Sequence, residues 1–474
     1  MRNKNIIFIF LLGLLCLSLP SAAQETDGKV ETVPVTKKSK RSAIADFFKQ
    51  SKWDFHARTF FMATINEGAL KDDYALAQGA GIGLVTKSIK GLQFGMSGYF
   101  NFNIISSDLS KPDSVTGLKN RYEIGQFDIN NPKNKFQLLR LEELYLKYSI
   151  RKSSITLGRM NLNTPFMNPQ DGRMRPTVES GIWVIIRESE KAGFTGGYIF
   201  GVSPRSTLDW FKVQSSIGIY PQGVNTDGSK SNYHDSIRSG GFLMGNIYYK
   251  PFNGLTISVW NGIFFNVMNT FLFEIKSEQN LKKQPLTFYE SLMYIRQDAI
   301  KNGGNPDPSK TYINKGAASN VISAQLGLKN KRVNANINYT HIFATGRYLM
   351  PREWGRDPFY TFLPRERNEG SGNVHALSAN FTVFLVKEKF KSTLSYGFYK
   401  LPVPTDVKIN KYGMPSYHQI NLASSYTFTN ILKGLEIRML IASKFNANSK
   451  IEQPKYIYNK VNMVNFNLIV DLTI

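Results

Sequence analysis

Polar and apolar residues alternate along most of the chain, from about Phe55 to the last residue. The final segment shows this most clearly, with apolar residues at every second position: Val464, Phe466, Leu468, Val470, Leu472 and Ile474. The residues between them are polar, apart from Ile469. A period of two places successive side chains on opposite faces of a strand. The pattern therefore predicts strands that each have one apolar face and one polar face.

The connections between these strands sort into short and long sets. Short connections fall near residues 89–91, 151–152, 188–192, 251–254, 330–331, 387–389 and 429–433. Long connections fall near residues 106–135, 163–177, 204–240, 299–316, 344–372, 401–416 and 446–460. Short turns on one side and long loops on the other are typical of outer-membrane barrels. The sequence thus predicts an all-β, antiparallel transmembrane β-barrel with short periplasmic turns and long external loops.

About eighteen strands fit between these connections, and an even number places both termini in the periplasm. They lie near residues 55–65, 75–88, 92–105, 136–150, 153–162, 178–187, 193–203, 241–250, 255–266, 269–277, 286–297, 319–329, 332–343, 374–386, 390–400, 417–428, 434–445 and 461–474. The strands at 269–277 and 286–297 are the weakest of these, and the segment 211–220 alternates poorly and could itself be a strand, so sixteen strands is the alternative count. The phase slips over Leu138–Glu142, which predicts a bulge or a strand end above the membrane.

The first 23 residues have the features of a cleaved secretory signal peptide. Arg2 and Lys4 precede an apolar run, and small residues stand before Gln24. Residues 24–54 are polar and predict a flexible periplasmic arm, which leaves 55–474 for the barrel. The single cysteine, Cys16, lies in the signal peptide, so disulfides and thiol chemistry are excluded from the mature protein. We expect the mature protein in the outer membrane of a Gram-negative bacterium. A secreted β-sandwich is disfavoured because its aromatic-rich outer face would contact water.

The loop after the fifth predicted strand is the first candidate for function. It spans residues 161–177, contains three prolines, and brings Asp171, Arg173 and Arg175 close together. A wide barrel depends on inward loops to narrow its lumen, and a rigid loop with fixed charges makes a selective gate. We therefore expect anion preference to fall when Arg173 and Arg175 are replaced by alanine.

A second arginine-rich stretch covers residues 346–367, and it includes Arg365 and Arg367 beside several aromatic residues. Arginine offers a planar fork that suits carboxylates. Two interpretations remain open. In the first, these arginines line the pore. In the second, they pair with Glu353, Asp357, Glu366 and Glu369 to order an external loop, or they hold lipid phosphates.

The strands also carry basic residues. Arg438 and Lys444 fall in the inward phase of the seventeenth predicted strand and Lys147 in that of the fourth, while Arg159 and Arg187 have a less definite phase. Together they predict a cationic track through the lumen. Such a track raises the local concentration of anions, and salt weakens the effect.

Three segments resemble the third-loop region of OprD-like outer-membrane porins: Leu157-Gly-Arg159, Asn168-Pro-Gln-Asp-Gly-Arg-Met-Arg-Pro176 and Ser180-Gly-Ile182. Arg352-Glu-Trp-Gly-Arg-Asp-Pro358 is similar to a later external loop of that group. The resemblance implies a monomer or loose trimer that acts as a substrate-preferring diffusion channel for small carboxylate-bearing solutes such as amino acids, short peptides and organic acids.

By this resemblance Asp171, Arg173 and Arg175 belong to the constriction. The chain departs from the group in two respects. It ends in Ile474, where such barrels usually carry an aromatic residue that the barrel-assembly machinery reads, and it has the arm at 24–54.

Other functions are disfavoured by what the sequence lacks. The five histidines show no metal-ligand spacing, and no nucleophile elbow or phosphate loop appears, which argues against an outer-membrane hydrolase and against any metal or cofactor. The net charge of +24 suggests nucleic acid, but the basic residues lie on strands and loops of an exported protein. The arm is too small to plug the barrel of an energised transporter. A receptor or scaffold with a closed pore remains the alternative to a channel for small anionic or zwitterionic solutes.

Overall fold

The computed structural model describes residues 48–170, 172–281, 285–386, 389–448, 451 and 453–474. The predicted signal peptide and most of the predicted arm lie outside these residues, as does Asp171. The arm was predicted to extend to residue 54, whereas the first strand begins at Lys52.

Long β-strands make up about half of the described chain. Their bounds are β1 Lys52–Asn66, β2 Asp73–Val85, β3 Leu92–Ser106, β4 Leu138–Ile150, β5 Ser153–Met160, β6 Val178–Ile186, β7 Ala192–Ser203, β8 Phe211–Lys212, β9 Phe242–Tyr249, β10 Leu255–Phe264, β11 Met268–Asn280, β12 Thr287–Ala299, β13 Ala318–Lys329, β14 Val333–Ile342, β15 Val374–Leu385, β16 Phe390–Lys400, β17 Tyr417–Thr427, β18 Leu435–Asn446 and β19 Met463–Thr473. Short 3₁₀ segments occur at Glu123–Gln126, Val213–Ser216, Pro308–Lys310, Arg352–Trp354, Asn430–Leu432 and Pro454–Tyr456. No helix in the described part of the chain is long and apolar enough to cross a membrane.

The strands form one closed antiparallel sheet. Each long strand pairs with its neighbours in the chain, and β1 closes the cylinder against β19, from His56 opposite Thr473 to Asn66 opposite Met463. The two-residue β8 only extends the edge of β7, because β7 continues its pairing with β9. Eighteen strands therefore form the wall, and the alternative count of sixteen is wrong. The segment 211–220 contributes β8 and no wall strand.

The wall has the alternation that the sequence predicts. On β19, Asn465, Asn467 and Asp471 are buried inside the barrel, whereas Val464 and Leu468 are exposed on the outer face. Ile469 also points inward, as its position out of phase requires. The outer surface is thus an apolar band that faces lipid.

Turns and bulges follow the local sequence. Lys90 and Gly91 both have positive φ between β2 and β3, as a type I′ hairpin turn requires. The register between β3 and β4 shifts where Ser97 and Gly98 face Glu143 and Leu141, so Glu142 is an extra residue. The predicted bulge in this strand is therefore present. Two external connections, residues 67–72 and 265–267, are short, so the external side is less uniform than the sequence suggested.

The external loops fold into the barrel. We call the third, fourth, seventh and eighth of them L3 (161–177), L4 (204–241), L7 (343–373) and L8 (401–416). Phe166 and Met167 of L3 and Trp354 and Phe359 of L7 belong to one buried apolar cluster, which also includes Phe264 from the wall. The core of this protein therefore lies inside the cylinder, where L3 and L7 meet.

Candidate functional site

L3 is fixed to the wall by Arg175. Its guanidinium is buried, and Nη1 donates to Asn101 Oδ1 at 2.7 Å and to the Leu138 carbonyl at 3.3 Å. Nη2 donates to the Phe127 carbonyl at 2.9 Å. These acceptors come from β3, β4 and the loop between them. Arg175 therefore lies at the predicted place in the chain, but its side chain holds L3 in position and does not face the passage.

Arg140 supports L3 from β4. Its Nη2 donates to the Pro176 carbonyl at 2.6 Å and to Glu142 Oε1 at 2.8 Å, while Nη1 donates to Ser203 Oγ at 3.2 Å. The bulge at Glu142 brings Arg140 to the inward side, where it joins L3 to the end of β7. Arg58 of β1 adds another link, because its Nη1 donates to the Arg173 carbonyl at 2.8 Å.

L7 packs directly on L3. The Asn168 N–H donates to the Trp354 carbonyl at 2.8 Å, and Asn168 exchanges two further hydrogen bonds with the backbone of Arg356. Gly355 has φ +132°, and a Cβ at this position would lie 2.4 Å from Asn168 Oδ1, so glycine permits the close approach. The Trp354 ring packs on Phe242 and Phe264, with ring centroids 5.1 and 5.2 Å away.

Four arginines converge beside this junction. Arg173 comes from L3, Arg205 from L4, and Arg365 and Arg367 from L7; we call them the arginine cluster. A first side-chain carbon added at Gly172 would lie 3.6 Å from Arg365 Nη1 and 3.7 Å from Arg205 Nη1, so both guanidinium groups reach the same point. Arg367 Nη2 donates to Gln170 Oε1 at 2.8 Å, and Arg205 Nη1 donates to the Gln170 carbonyl at 3.3 Å.

The hydrogen-bond acceptors of the arginine cluster are neutral. Arg365 donates to the side-chain oxygens of Asn465 and Asn467, and Arg173 donates to the Gly172 carbonyl. Among the described residues, no carboxylate forms an ion pair with any member of the cluster. Three buried donors have no partner there: Arg173 Nε, Arg205 Nε and Arg367 Nη1. The cluster therefore holds concentrated positive charge with free hydrogen-bonding capacity.

The pKa values of these loop arginines reflect this crowding. Burial lowers the pKa of Arg173 to about 9, and the charge of Arg365 adds to the effect. Burial likewise lowers the pKa of Arg205 to about 9, with Arg173 and Arg367 contributing. Arg173 and Arg205 therefore remain cationic at neutral pH. The positive charge of each arginine disfavours the charged form of its neighbours, and a bound anion would relieve this repulsion.

The acidic residues of L7 are engaged elsewhere. Arg352 pairs with Glu369 and lies 3.4 Å above the Tyr412 ring, so the interpretation of an ordered external loop holds for this arginine. Glu353 Oε1 accepts backbone N–H groups of Gly218 and Tyr220 at 2.9 and 2.8 Å.

The remaining predicted residues occupy different places. Lys444 is buried, donates to the Arg365 carbonyl, and lies 4.7 Å from the Tyr417 ring centroid, so it supports L7 from below. Arg438 points inward and pairs with Asp471, which also binds Arg58 at 2.6 Å.

Arg187 and Lys147 lie apart from the arginine cluster. They line a cavity of about 420 Å³ on the periplasmic side of L3, together with Trp183 and Trp260. This cavity is the part of the lumen below the L3–L7 junction. Arg187 is exposed at its periplasmic end.

Arg159 does not face the lumen, contrary to the predicted track. It shares the phase of Ile155 and Leu157, which are exposed on the outer face. Its guanidinium lies 4.4 Å from the Trp210 ring centroid, and Trp210 donates to the Leu141 carbonyl. The physical reason is the strict alternation of β5, which places Thr156 and Met160 inside and Arg159 outside.

Sequence reasoning missed Arg58, Arg140 and Arg205. Arg58 could have been found, because it shares the phase of Phe60 and Met62 on a strand whose other face is lipid-exposed. Arg205 stands in a polar loop, and no local pattern distinguishes it from a solvated arginine.

Comparison with known proteins agrees with this architecture. The family model described as outer membrane porin, OprD family, matches residues 45–354. The solved structure of OpdK from Pseudomonas aeruginosa with vanillate aligns with a TM-score of 0.68 at 13% identity, covering 90% of this chain and 99% of OpdK. OccK9 (OpdG) of the same organism aligns with a TM-score of 0.70 at 13% identity and the same coverage. OccD3 (OpdP), also from P. aeruginosa, gives 0.66 at 11% identity, with 90% and 92% covered.

The sequence matches no curated protein. Because their sequence identities to this chain are low, the structural neighbours establish only the fold. The family model covers well over half of the chain and establishes the family. The chain therefore belongs to the OprD family, and it is an outer-membrane porin rather than an enzyme.

Proposed function

We propose that this porin is a diffusion channel that prefers small carboxylate-bearing solutes and that the arginine cluster is its selective constriction. The observation that carries the proposal is the convergence of Arg173, Arg205, Arg365 and Arg367 on neutral acceptors alone among the described residues. Buried cations are normally paired, so four that form no ion pair with a carboxylate of the described residues suit an anion from outside.

A solute carboxylate suits this arrangement chemically. Guanidinium groups bind carboxylates through two parallel hydrogen bonds, and these are stronger than bonds between neutral groups. The half-buried Arg365 and Arg367 can present guanidinium groups to such a solute, and the buried Arg173 and Arg205 add positive charge beside them. Several adjacent donors also allow the anion to pass from one arginine to the next, as conduction requires.

The relatives add support of a limited kind. OpdK was crystallised with vanillate, an aromatic carboxylate. We extend the carboxylate, not the particular molecule, to this chain, so amino acids, short peptides and organic acids remain within the proposed class. Asp171 belongs to the same turn of L3 and is included in the proposed constriction on the strength of the sequence resemblance.

The proposed assembly follows from the closed barrel. One chain closes its own wall through β1 and β19, so a lumen needs no second copy, and a monomer or a loose trimer is equally functional. We propose that residues 1–23 direct export and are cleaved, that the segment up to residue 51 is a periplasmic arm, and that the barrel-assembly machinery inserts the chain into the lipid.

Bilayer conductance and liposome swelling together test the proposal. Purified protein in a planar bilayer with a KCl gradient should conduct with a reversal potential that shows anion preference, and Arg173→Gln combined with Arg365→Gln should reduce that preference. Arg238→Gln, which changes an exposed arginine of L4, is the matched control and should leave it unchanged. Liposome swelling should then rank carboxylates above neutral solutes of equal size. A silent bilayer would favour the receptor or scaffold with a closed pore.

A further inference from the structure

Two histidines stack on the lipid-facing side of the barrel. His341 of β14 is directly opposite His375 of β15, and their ring centroids are 4.2 Å apart with an interplanar angle of 26°. Lys400 of β16 is opposite His375 in the next pair of strands. All three share the phase of outward residues such as Leu377 and Tyr396. We call these three residues the rim triad.

The rim triad lies at the level of lipid head groups. On β16 the outward residues run from Phe390 through Leu394 to Tyr396 and Phe398, and Lys400 is the next outward residue. Phe390 and Phe398 are eight residues apart, about 26 Å along a strand, and a strand tilted by about 40° then spans roughly 20 Å of the roughly 25 Å apolar band of an outer-membrane barrel. Lys400 therefore stands just beyond the external aromatic girdle.

Hydrogen bonds orient both imidazole rings. His341 Nδ1 lies 3.0 Å from the Val374 carbonyl, which can only accept, so this nitrogen carries a proton and Nε2 is left for another partner. His375 Nδ1 is held by the Tyr339 hydroxyl at 2.8 Å. Each ring is thus fixed through Nδ1, and Nε2 takes no part in these bonds.

The charges around the triad favour an anion. In the described part of the chain, no carboxylate forms an ion pair with any of the three residues. The nearest outward charged pair on the same rim is Arg296 with Asp298 on β12, and these two bind each other through three contacts of 3.0 Å or less. Asp298 is thereby engaged and does not offset the triad.

We infer that the rim triad binds the phosphate of an outer-leaflet lipid head group. Lys400 supplies a permanent cation, and His341 and His375 each add a charged donor when Nε2 is protonated. A phosphate beside the two stacked rings would stabilise their charged forms, which otherwise repel each other. Binding should therefore strengthen as the pH falls and the two rings gain protons. The inference is independent of the proposed solute preference.

Lipid retention tests this inference directly. The full-length mature protein is reconstituted with lipid A that carries its phosphates or with dephosphorylated lipid A, and bound lipid is counted by native mass spectrometry after detergent exchange. We expect phosphorylated lipid A to be retained at least tenfold better at pH 5.5 than at pH 8, and dephosphorylated lipid A to be retained weakly at both.

Variants separate the triad from general lipid adhesion. His341→Leu with His375→Leu should abolish the pH dependence, and Lys400→Gln should weaken retention at both pH values. His418→Leu is the matched control, because this outward histidine has the same Nδ1 bond to a tyrosine hydroxyl, at 2.8 Å, but is one row deeper and is paired across the strands with Phe398 and Phe445. Inorganic phosphate is added as a competitor, and loss of lipid at millimolar phosphate would support recognition of the phosphate itself. Equal retention of the two lipid A forms, or a pH dependence that survives in the double variant, would overturn the inference.

Discussion

Gly172 offers a direct way to test whether the arginine cluster attracts permeating anions. A first side-chain carbon at this position would lie 3.6 Å from Arg365 Nη1 and 3.7 Å from Arg205 Nη1, which are ordinary contacts. The Gly172 backbone is outside the left-handed region, so it accepts a side chain without strain. Gly172→Asp therefore places a carboxylate between two arginines, where a solute carboxylate would bind.

The expected effect follows from the distances. A unit charge about 4 Å from an arginine is stabilised by roughly 1 kcal/mol in water and about 4 kcal/mol at an effective dielectric constant of 20. A fixed aspartate takes that stabilisation away from the solute, and each 1.4 kcal/mol corresponds to a factor of about ten. We expect the ratio of anion to cation permeability to fall at least about fivefold, with a larger loss of carboxylate flux.

The assay is the reversal potential in a KCl gradient, repeated with potassium acetate and potassium benzoate. Gly172→Asn is the matched control, since it adds the same bulk without charge and should keep the permeability ratio within about twofold of the parent protein. Because the effect is electrostatic, the difference between the two variants should shrink as the salt concentration rises. If the two variants behave alike, the cluster does not act through its charge, and the proposed constriction is refuted.

Three further perturbations separate structural from selective charges. Arg175→Met leaves buried carbonyl acceptors unpaired, and each lost hydrogen bond costs about 1.5–3 kcal/mol of stability, so hydrogen exchange in L3 should accelerate. Arg173→Met should instead lower anion preference and leave hydrogen exchange in L3 unchanged. Burial lowers the pKa of Lys411 in L8 from 10.5 to about 7. Between pH 7 and 10.5 the unfolded chain holds a proton that the folded chain has released, so the stability of L8 should rise with pH in this range. Hydrogen exchange of L8 at pH 7.5 and 9.5 should show the rise, and Lys411→Met should abolish it. Asp471→Asn removes the carboxylate that Arg58 and Arg438 share, so the reversal potential should shift towards greater anion preference. An unchanged reversal potential would show that these two arginines do not act on permeating ions.

The wall of the barrel was predictable because the interactions that determine its strands are local in sequence. A period of two and the need to satisfy every backbone group inside lipid determine the strands, and the eighteen predicted strands correspond to those observed within a few residues. Even the out-of-phase Ile469 was informative, since it points inward as its position requires. Arg159 was placed wrongly only because the phase set by Ile155 and Leu157 was not carried two residues further.

The interior was less predictable because its contacts are not local. Arg173, Arg365 and Arg367 were found as charges on two loops, but their convergence with Arg205 depends on how L3, L4 and L7 dock. The role of Arg175 depends on carbonyl groups of a different loop, and backbone acceptors leave no mark in a sequence. Composition can reveal that a loop is basic, but it cannot show which of its arginines have their hydrogen bonds satisfied by backbone.

The way the L7 acids are satisfied explains how a loop with many acidic residues can still present a positive surface. Glu353 is held by backbone N–H groups of L4, and Asp357 Oδ2 accepts the N–H groups of Asn368 and Glu369 at 3.0 and 3.2 Å. Glu369 forms an ion pair with Arg352, which does not belong to the arginine cluster. None of these three carboxylates forms an ion pair with Arg365 or Arg367, although the charge of Arg367 acts on Asp357 and on Glu366. The Glu353 bonds hold L7 against L4, and the Asn168 bonds hold it against L3, so the arginines are fixed in place. A fixed charge in a narrow passage costs no reorganisation when an anion arrives, and a constriction of this kind selects solutes by charge without having to open or close.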